Sequence, residues 1–196
     1  MAVRIRKSVW SLPPGDPSLD WFRKAVDALI QRPASNPSSW RYLAAVHGVP
    51  GGMTVPPGAA QFWDQCQHQS WFFPPWHRGY LVALEAQLRE DIVQHGGPST
   101  WALPYWDYFG PSDEFDIPPA FAQQKMPDGS PNPLFVTARY GPNANNIVFV
   151  PTQAGLKKHP VPPPNYMGTV TETCLSNTVY TGFRPQHAAD GFLARR

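Results

Sequence analysis

Hydrophobic positions recur at helical spacing along the first half of the chain. From about Ser18 to Arg32, apolar residues fall at three- and four-residue intervals and predict a helix that Ser18 caps and Pro33 ends. A second helix, capped by Ser38 or Ser39, is predicted from Ser39 to His47, with Gly48 behind it, and a short third from Ala59 to Cys66. These elements predict a mainly α-helical first half.

The clearest helical pattern covers Pro75 to Gln94, where Pro75 suits a first turn and Gly96-Gly97 ends the helix. Its apolar, aromatic and histidine side chains are predicted to line one side: His77, Tyr80, Leu81, Leu84, Leu88 and Ile92. Glu85 is expected to pair with Arg89 one turn later, and Asp107 is expected to anchor its loop by hydrogen bonds.

The pattern changes near residue 110. Thirteen prolines fall in residues 111–196, and helical periodicity is lost. One short strand is predicted within Asn145–Pro151, and Pro162-Pro163-Pro164 is typical of extended chain. We therefore expect one mainly α domain: a helical region, 1–110, and an irregular Pro-rich region, 111–196, that wraps over it with little strand.

Composition excludes several classes of protein. The 196 residues carry a net charge of only +2, which excludes a strongly basic nucleic-acid binder. No apolar run approaches the roughly 18 residues of a membrane span, and the N-terminus has no apolar core typical of a secretory signal. We expect a cytoplasmic chain, or one exported with a partner. Two cysteines, Cys66 and Cys174, make no disulfide framework.

Three histidines lie where antiparallel helices would bring them together. His47 ends one predicted helix, His68 lies in the connection, and His77 lies in the first turns of the next. Three imidazoles suit copper, zinc, iron or nickel, although histidines at helix ends also interact with the helix dipole. Neighbouring aromatic rings favour a metal site, because a histidine among rings needs partners for its nitrogens.

The other three histidines are not expected to join this site. His95 follows His77 by 18 residues, which is a rise of about 27 Å along one helix. His159 and His187 lie in predicted loops. A zinc hydrolase is a weaker alternative, since the spacing places no carboxylate base near the metal.

Three segments resemble the copper A region of tyrosinases and polyphenol oxidases. They are Ser39–Gly48, Cys66-Gln67-His68 with Phe73-Pro74-Pro75-Trp76-His77-Arg78, and Leu103–Tyr108. The resemblance implies that His47, His68 and His77 hold one copper of a type 3 pair, in the copper A half of a four-helix bundle. It implies that Phe73 and Trp76 pack around the site and take no part in catalysis.

Cys66 lies two residues before His68. In fungal tyrosinases and molluscan haemocyanins a cysteine at this place is joined to the histidine by a thioether. The resemblance therefore implies a Cys66–His68 cross-link that would lock the ring of the one ligand on a loop. The alternative is a small buried hydrophobic residue. Cys174 has no counterpart and is expected to be an inert thiol.

The chain departs from the family at the second copper. Copper B needs its own three histidines, usually a His-x3-His pair on one helix, and this sequence has no such pair. We expect one copper in this chain and two in the complete site. A second polypeptide or C-terminal fragment would carry copper B. A cleaved chain, a truncated gene and a self-sufficient mononuclear site are the alternatives.

The resemblance implies a copper oxidoreductase. Its substrates would be phenols or o-diphenols, oxidised to quinones with O2, and the chain would be inactive without the copper B portion. A haemocyanin-like oxygen carrier and a non-catalytic mononuclear copper-binding chain are the alternatives. No nucleic acid and no membrane is expected as a partner.

Overall fold

Three α-helices make up most of the regular structure. The computed structural model describes residues 3–49, 53–66, 70, 72–107 and 117–136, together with the strands at 139–140 and 148–149. The helices are α1, Pro17–Gln31, α2, Trp40–His47, and α3, Phe73–Gln94, followed by a single turn, α4, Pro119–Ala122. A 3-10 turn covers Val9–Ser11. Strands β1, Arg139–Tyr140, and β2, Val148–Phe149, pair antiparallel.

The first helix begins earlier than the sequence predicts. Asp16, and not Ser18, is its N-cap: the Asp16 carboxylate accepts a hydrogen bond of 2.8 Å from the backbone N–H of Ser18. Pro17 takes the first helical position, where its missing N–H costs nothing. The predicted Ser18 cap is wrong because it leaves Pro17 outside the helix, whereas proline is favoured at that position. Pro33 follows the last turn, as predicted.

The main core lies between α1 and α3. Six side chains of these helices form one buried cluster with Trp101 and Leu134: Phe22, Ala25, Val26, Leu29, Leu88 and Ile92. The prediction that one side of α3 is buried is therefore only partly correct. Leu88 and Ile92 in the C-terminal half of the helix are buried, but Leu81 in the N-terminal half is 41% exposed.

The far end of α3 makes a close backbone contact. Gly96 ends the helix with a φ of 84°, which favours glycine. At Gly97 an added Cβ would lie 2.9 Å from both Trp21 Cδ2 and the Ile92 carbonyl, and it would clash with the Ile92 side chain. Glycine at 97 therefore lets the chain pass directly against α1.

A buried carboxylate ties two segments to α3. Glu85 accepts hydrogen bonds from Arg89 at 2.9 Å and from Arg6 Nε at 2.7 Å, and also from the backbone N–H of Leu103. The predicted Glu85–Arg89 pair is confirmed. Arg6, 79 residues away in sequence, belongs to a segment that bridges to Tyr105 through backbone hydrogen bonds. Glu85 thus fixes the N-terminal segment and the segment after α3 together.

The predicted helix from Ala59 to Cys66 is wrong. This segment forms turns, with Asp64 in the left-handed region at a φ of 57°. The N–H groups of Asp64 and Gln65 donate to the carbonyls of Ala45 and Val46, each at 2.9 Å. Those carbonyls belong to the last turn of α2 and have no partner within it, so the connection satisfies the helix end instead of continuing as a helix.

No helix in the described part of the chain is long and apolar enough to cross a membrane.

Candidate metal centre

His47 reaches the site from the C-terminal end of α2. Ser39 caps this helix as predicted, its hydroxyl accepting a hydrogen bond of 3.0 Å from the Tyr42 N–H. The Tyr80 hydroxyl of α3 donates to the Leu43 carbonyl at 2.8 Å. This bond joins the two helices close to His47 and sets the distance between their imidazoles.

His77 reaches the site from the first turns of α3. Its Nδ1 lies 2.7 Å from the Phe73 carbonyl oxygen, one turn earlier. A carbonyl only accepts, so Nδ1 carries the proton and the neutral ring has its lone pair on Nε2. Metal-binding histidines commonly donate their second ring N–H in this way, which fixes the tautomer and the ring orientation.

The two imidazoles meet through their Nε2 atoms, 3.2 Å apart. Two nitrogens bound to one ion at about 2.0–2.1 Å and a tetrahedral angle lie about 3.3 Å apart. Without a cation, the contact requires His47 to donate from Nε2, because the bond to Phe73 keeps the His77 proton on Nδ1. The pair therefore has the spacing that a shared metal ion needs, and His77 has the required tautomer, whereas His47 would lose its Nε2 proton when a metal binds.

Cys66 completes a group of three possible ligands. Its Sγ is 3.4 Å from the Nε2 of His77, and the ligand atoms of His47, Cys66 and His77 all lie within 4.8 Å of one another. The sequence associates Cys66 with His68 alone. Spacing carries no signal for the contact with His77, because the path of the turn at Asp64 depends on backbone bonds to α2.

The thiol of Cys66 is held protonated in the absence of a cation. Burial raises its pKa, and the negative charge of Asp64 raises it further. Burial likewise raises the pKa of the Tyr80 hydroxyl, with a contribution from Cys66. A metal ion at this site would therefore displace the thiol proton on binding sulfur.

Aromatic rings surround the two imidazoles. Phe73 lies against His77 at 4.3 Å between ring centroids, and Trp76 lies 5.0 Å from His77 and 5.8 Å from His47. Trp76 also stacks on Tyr80 at 5.3 Å, with the two rings 10° from parallel. These rings orient the imidazoles and leave few alternative hydrogen-bond partners for their nitrogens.

Of the other histidines and cysteines in the sequence, the structure describes His95 alone. His68, the expected third ligand and partner of a thioether, lies outside the described residues, as do His159, His187 and Cys174. His95 lies just beyond the opposite end of α3, where its Nδ1 is 2.7 Å from the Asp91 carbonyl oxygen.

The helical fold brings two imidazoles from adjoining helices into a group that could hold a metal ion. Residues 37–190 match the common central domain of tyrosinase. The chain belongs to the tyrosinase family.

Its relatives include tyrosinases and haemocyanins. A tyrosinase of Hahella sp. is 33% identical over 171 residues, covering 74% of this chain and 36% of the relative. Hemocyanin type 2 unit e of Rapana venosa is 33% identical over 132 residues, covering 67% of this chain and 28% of the relative. The structure of latent apple tyrosinase superposes with a TM-score of 0.52 at 28% identity, covering 74% of this chain and 28% of that one. The chain spans about a third of the length of these proteins.

Proposed function

We propose that this chain supplies the copper A site of a dinuclear copper oxidase that converts phenols or o-diphenols to quinones with O2. The observation that carries the proposal is the Nε2 pair of His47 and His77, 3.2 Å apart, with the His77 proton fixed on Nδ1. His68, nine residues before His77, is the proposed third ligand. Copper in such a pair supplies one electron per ion to O2, so the reaction needs two ions.

The chain's own residues would hold and orient the metal ligands. Phe73 fixes the His77 ring by accepting its Nδ1–H, and Tyr80 fixes the distance between α2 and α3. The rings of Phe73 and Trp76 lie against the imidazoles and limit their rotation. All of these roles concern binding and orientation, and we assign no side chain of this chain a proton-transfer step.

We further propose that copper B comes from residues beyond this sequence and that 1–110 and 111–196 belong to one domain. The absence of a His-x3-His pair supports the first point. Leu81 and Val82, in the N-terminal half of α3, are 41% and 56% exposed. A further helical portion packed there would cover them and complete a four-helix bundle.

In the mature site we propose a thioether between the Cys66 sulfur and a ring carbon of His68. The new C–S bond replaces one S–H and one C–H bond. The two electrons and two protons pass to O2, which becomes hydrogen peroxide. The position of Cys66 beside the metal-facing nitrogen of His77 supports this proposal.

Copper stoichiometry tests the proposal directly. The purified, dialysed chain should retain one tightly bound copper per molecule, measured by elemental analysis. Two tightly bound coppers would contradict it, since the chain would then hold both sites, and no retained copper would remove the copper A assignment.

An oxygen carrier is the second candidate, favoured by the match to the Rapana venosa haemocyanin unit. The two functions share ligands and differ in access of phenols to the metal pair. Reversible O2 binding without catechol oxidation, by the complete two-copper protein, would favour the carrier.

A further inference from the structure

Cys66 is positioned by the backbone, and not by chance packing of its side chain. The N–H groups of Asp64 and Gln65 donate to the last-turn carbonyls of α2, so the residue that follows them is held beside His47. The neighbouring Trp63 is 2% exposed and packs edge-on against Tyr42 of α2, at 5.5 Å between ring centroids. The thiol therefore has a fixed approach to the two imidazoles.

The distance from this thiol to His77 is close to the distance expected for two ligands of one ion. A sulfur at about 2.3 Å and a nitrogen at about 2.0–2.1 Å from a metal lie about 3.5–3.6 Å apart at a tetrahedral angle. The observed Sγ–Nε2 separation is 3.4 Å, and the His47–His77 separation fits the same ion at 3.2 Å. The three atoms lie within 4.8 Å of one another.

The chemistry of the donors fits reduced copper. Thiolate is a soft ligand that favours Cu(I) over harder ions, and imidazole is compatible with it. A set of one thiolate and two imidazoles therefore suits copper in its reduced state, in which copper is the softer acceptor.

We infer that Cys66 is a direct thiolate ligand of Cu(I), together with His47 and His77, in the reduced chain before any bond to His68 forms. On binding, the S–H proton leaves to solvent, a Cu–S bond forms, and no electron is transferred. The inference rests on the proposed function only in taking copper as the metal. The thioether would later use the same sulfur, so the two arrangements belong to successive states of the protein.

X-ray absorption at the copper edge tests this in the full-length chain carrying Cys174→Ser, where Cys66 is the only cysteine. The chain is reduced and loaded with Cu(I) without O2, and its intact mass confirms that no hydrogens have been lost. We expect one sulfur at about 2.3 Å from copper. Cu(I) should also slow the alkylation of Cys66.

Two further variants in the same background identify the sulfur. Cys66→Ser should remove the sulfur scattering and weaken Cu(I) binding at least tenfold in competition with a Cu(I) chelator. His68→Ala cannot form the thioether. It also removes the proposed third ligand and should lower the copper affinity, but the Cu(I) that binds should still show sulfur scattering.

The outcomes separate this inference from the proposed function. Bound Cu(I) with only nitrogen scattering, or an affinity unchanged by Cys66→Ser, would overturn the thiolate ligand and leave the copper A proposal standing. Failure of the Cys174→Ser chain to bind copper in either oxidation state would overturn both.

Discussion

His77 and His95 make the same local hydrogen bond through Nδ1 but differ in the groups that surround Nε2. Both His77 and His95 approach a carbonyl oxygen four residues earlier with Nδ1, each at 2.7 Å. The Nε2 of His77 faces His47 and Cys66, whereas His95 lies beyond the opposite end of the helix. The hydrogen bond fixes the tautomer of both rings. Only His77 is a candidate ligand, because its Nε2 faces His47 and Cys66.

This contrast gives a matched pair of variants. His77→Ala should weaken copper binding by more than about 100-fold, because removal of a ligand costs more than loss of an outer-shell partner, which already costs about 10–100-fold. His95→Ala removes the same side chain and the same local bond, and should leave the affinity unchanged. Chelator competition measures both, and retention of full affinity in His77→Ala would remove the central assignment.

At the scale of elements, the stability of the described part depends on how closely α1 and α3 approach. At Gly97, just beyond the end of α3, the backbone passes Trp21 and Ile92 with no room for a side chain. Gly79, in the N-terminal half of α3, has no atom within 4 Å of an added Cβ. The same substitution should therefore have opposite effects at the two positions.

We expect Gly97→Ala to lower the free energy of unfolding by about 1–3 kcal/mol, the usual cost of overpacking. Gly79→Ala should raise it by up to about 1 kcal/mol, because alanine has the higher helix propensity. Denaturant unfolding of the full chain followed by circular dichroism measures both. If Gly97→Ala left the free energy of unfolding unchanged, the contact between the end of α3 and α1 would accommodate a methyl group, which would contradict this prediction.

Ionisation of Glu85 makes the contact of α3 with the N-terminal segment and with the segment after α3 sensitive to pH. Burial alone would raise its pKa, but the hydrogen bonds from Arg89 and Arg6, the charge of Arg6 and the Leu103 N–H outweigh burial and lower the pKa. A carboxyl whose pKa is lower in the folded state stabilises the fold above its unfolded pKa, about 4.3. That contribution is lost as the pH falls through the folded-state pKa.

Glu85→Gln should therefore destabilise the chain at pH 7 by about 1–3 kcal/mol, since it leaves charged partners unpaired. The difference from wild type should shrink as the pH falls below the unfolded-state pKa of about 4.3 and toward the lower folded-state pKa, where wild-type Glu85 becomes protonated too. Glu90→Gln, an exposed change on the same helix, is the control and should have little effect. A difference that stays constant from pH 7 to pH 3 would contradict the role of ionisation.

Elements with local signals are predictable from sequence, and contacts between distant segments are not. The periodicity and stop residues of α1, the Ser39 cap of α2 and the spacing along α3 each act within a few residues. The turn that carries Cys66 is wrongly predicted as a helix because its N–H groups bond to α2, a tertiary partner that no local pattern indicates. The Arg6–Glu85 pair joins residues 79 apart and is unpredictable for the same reason.

At the scale of the whole molecule, the sequence identifies the family and two of the grouped residues as ligand candidates. The third candidate, His68, and the thioether stay predictions, since residues 67–69 lie outside the described structure. The N-terminal half of α3 carries His77, a proposed ligand, and also exposes apolar side chains, including Val82 at 56%. Site and exposed apolar surface thus lie on the same half of one helix, which is where a copper B portion would have to pack.

Oxygen uptake with a simple catechol tests this arrangement in the assembled protein. We expect no turnover by the copper-loaded 196-residue chain alone, because one Cu(I) gives one electron and this sequence has no His-x3-His pair to hold a second ion. Turnover should appear when a polypeptide with a His-x3-His helix, encoded beside or downstream of this chain, is added. Leu81→Glu with Val82→Glu should then weaken the complex and its activity together, because both substitutions place charge on the proposed contact surface. The same double variant should keep its single copper, which separates a lost interface from a lost site. Robust catechol oxidation by the chain alone would mean that His159 or His187 contributes to a second copper site within it.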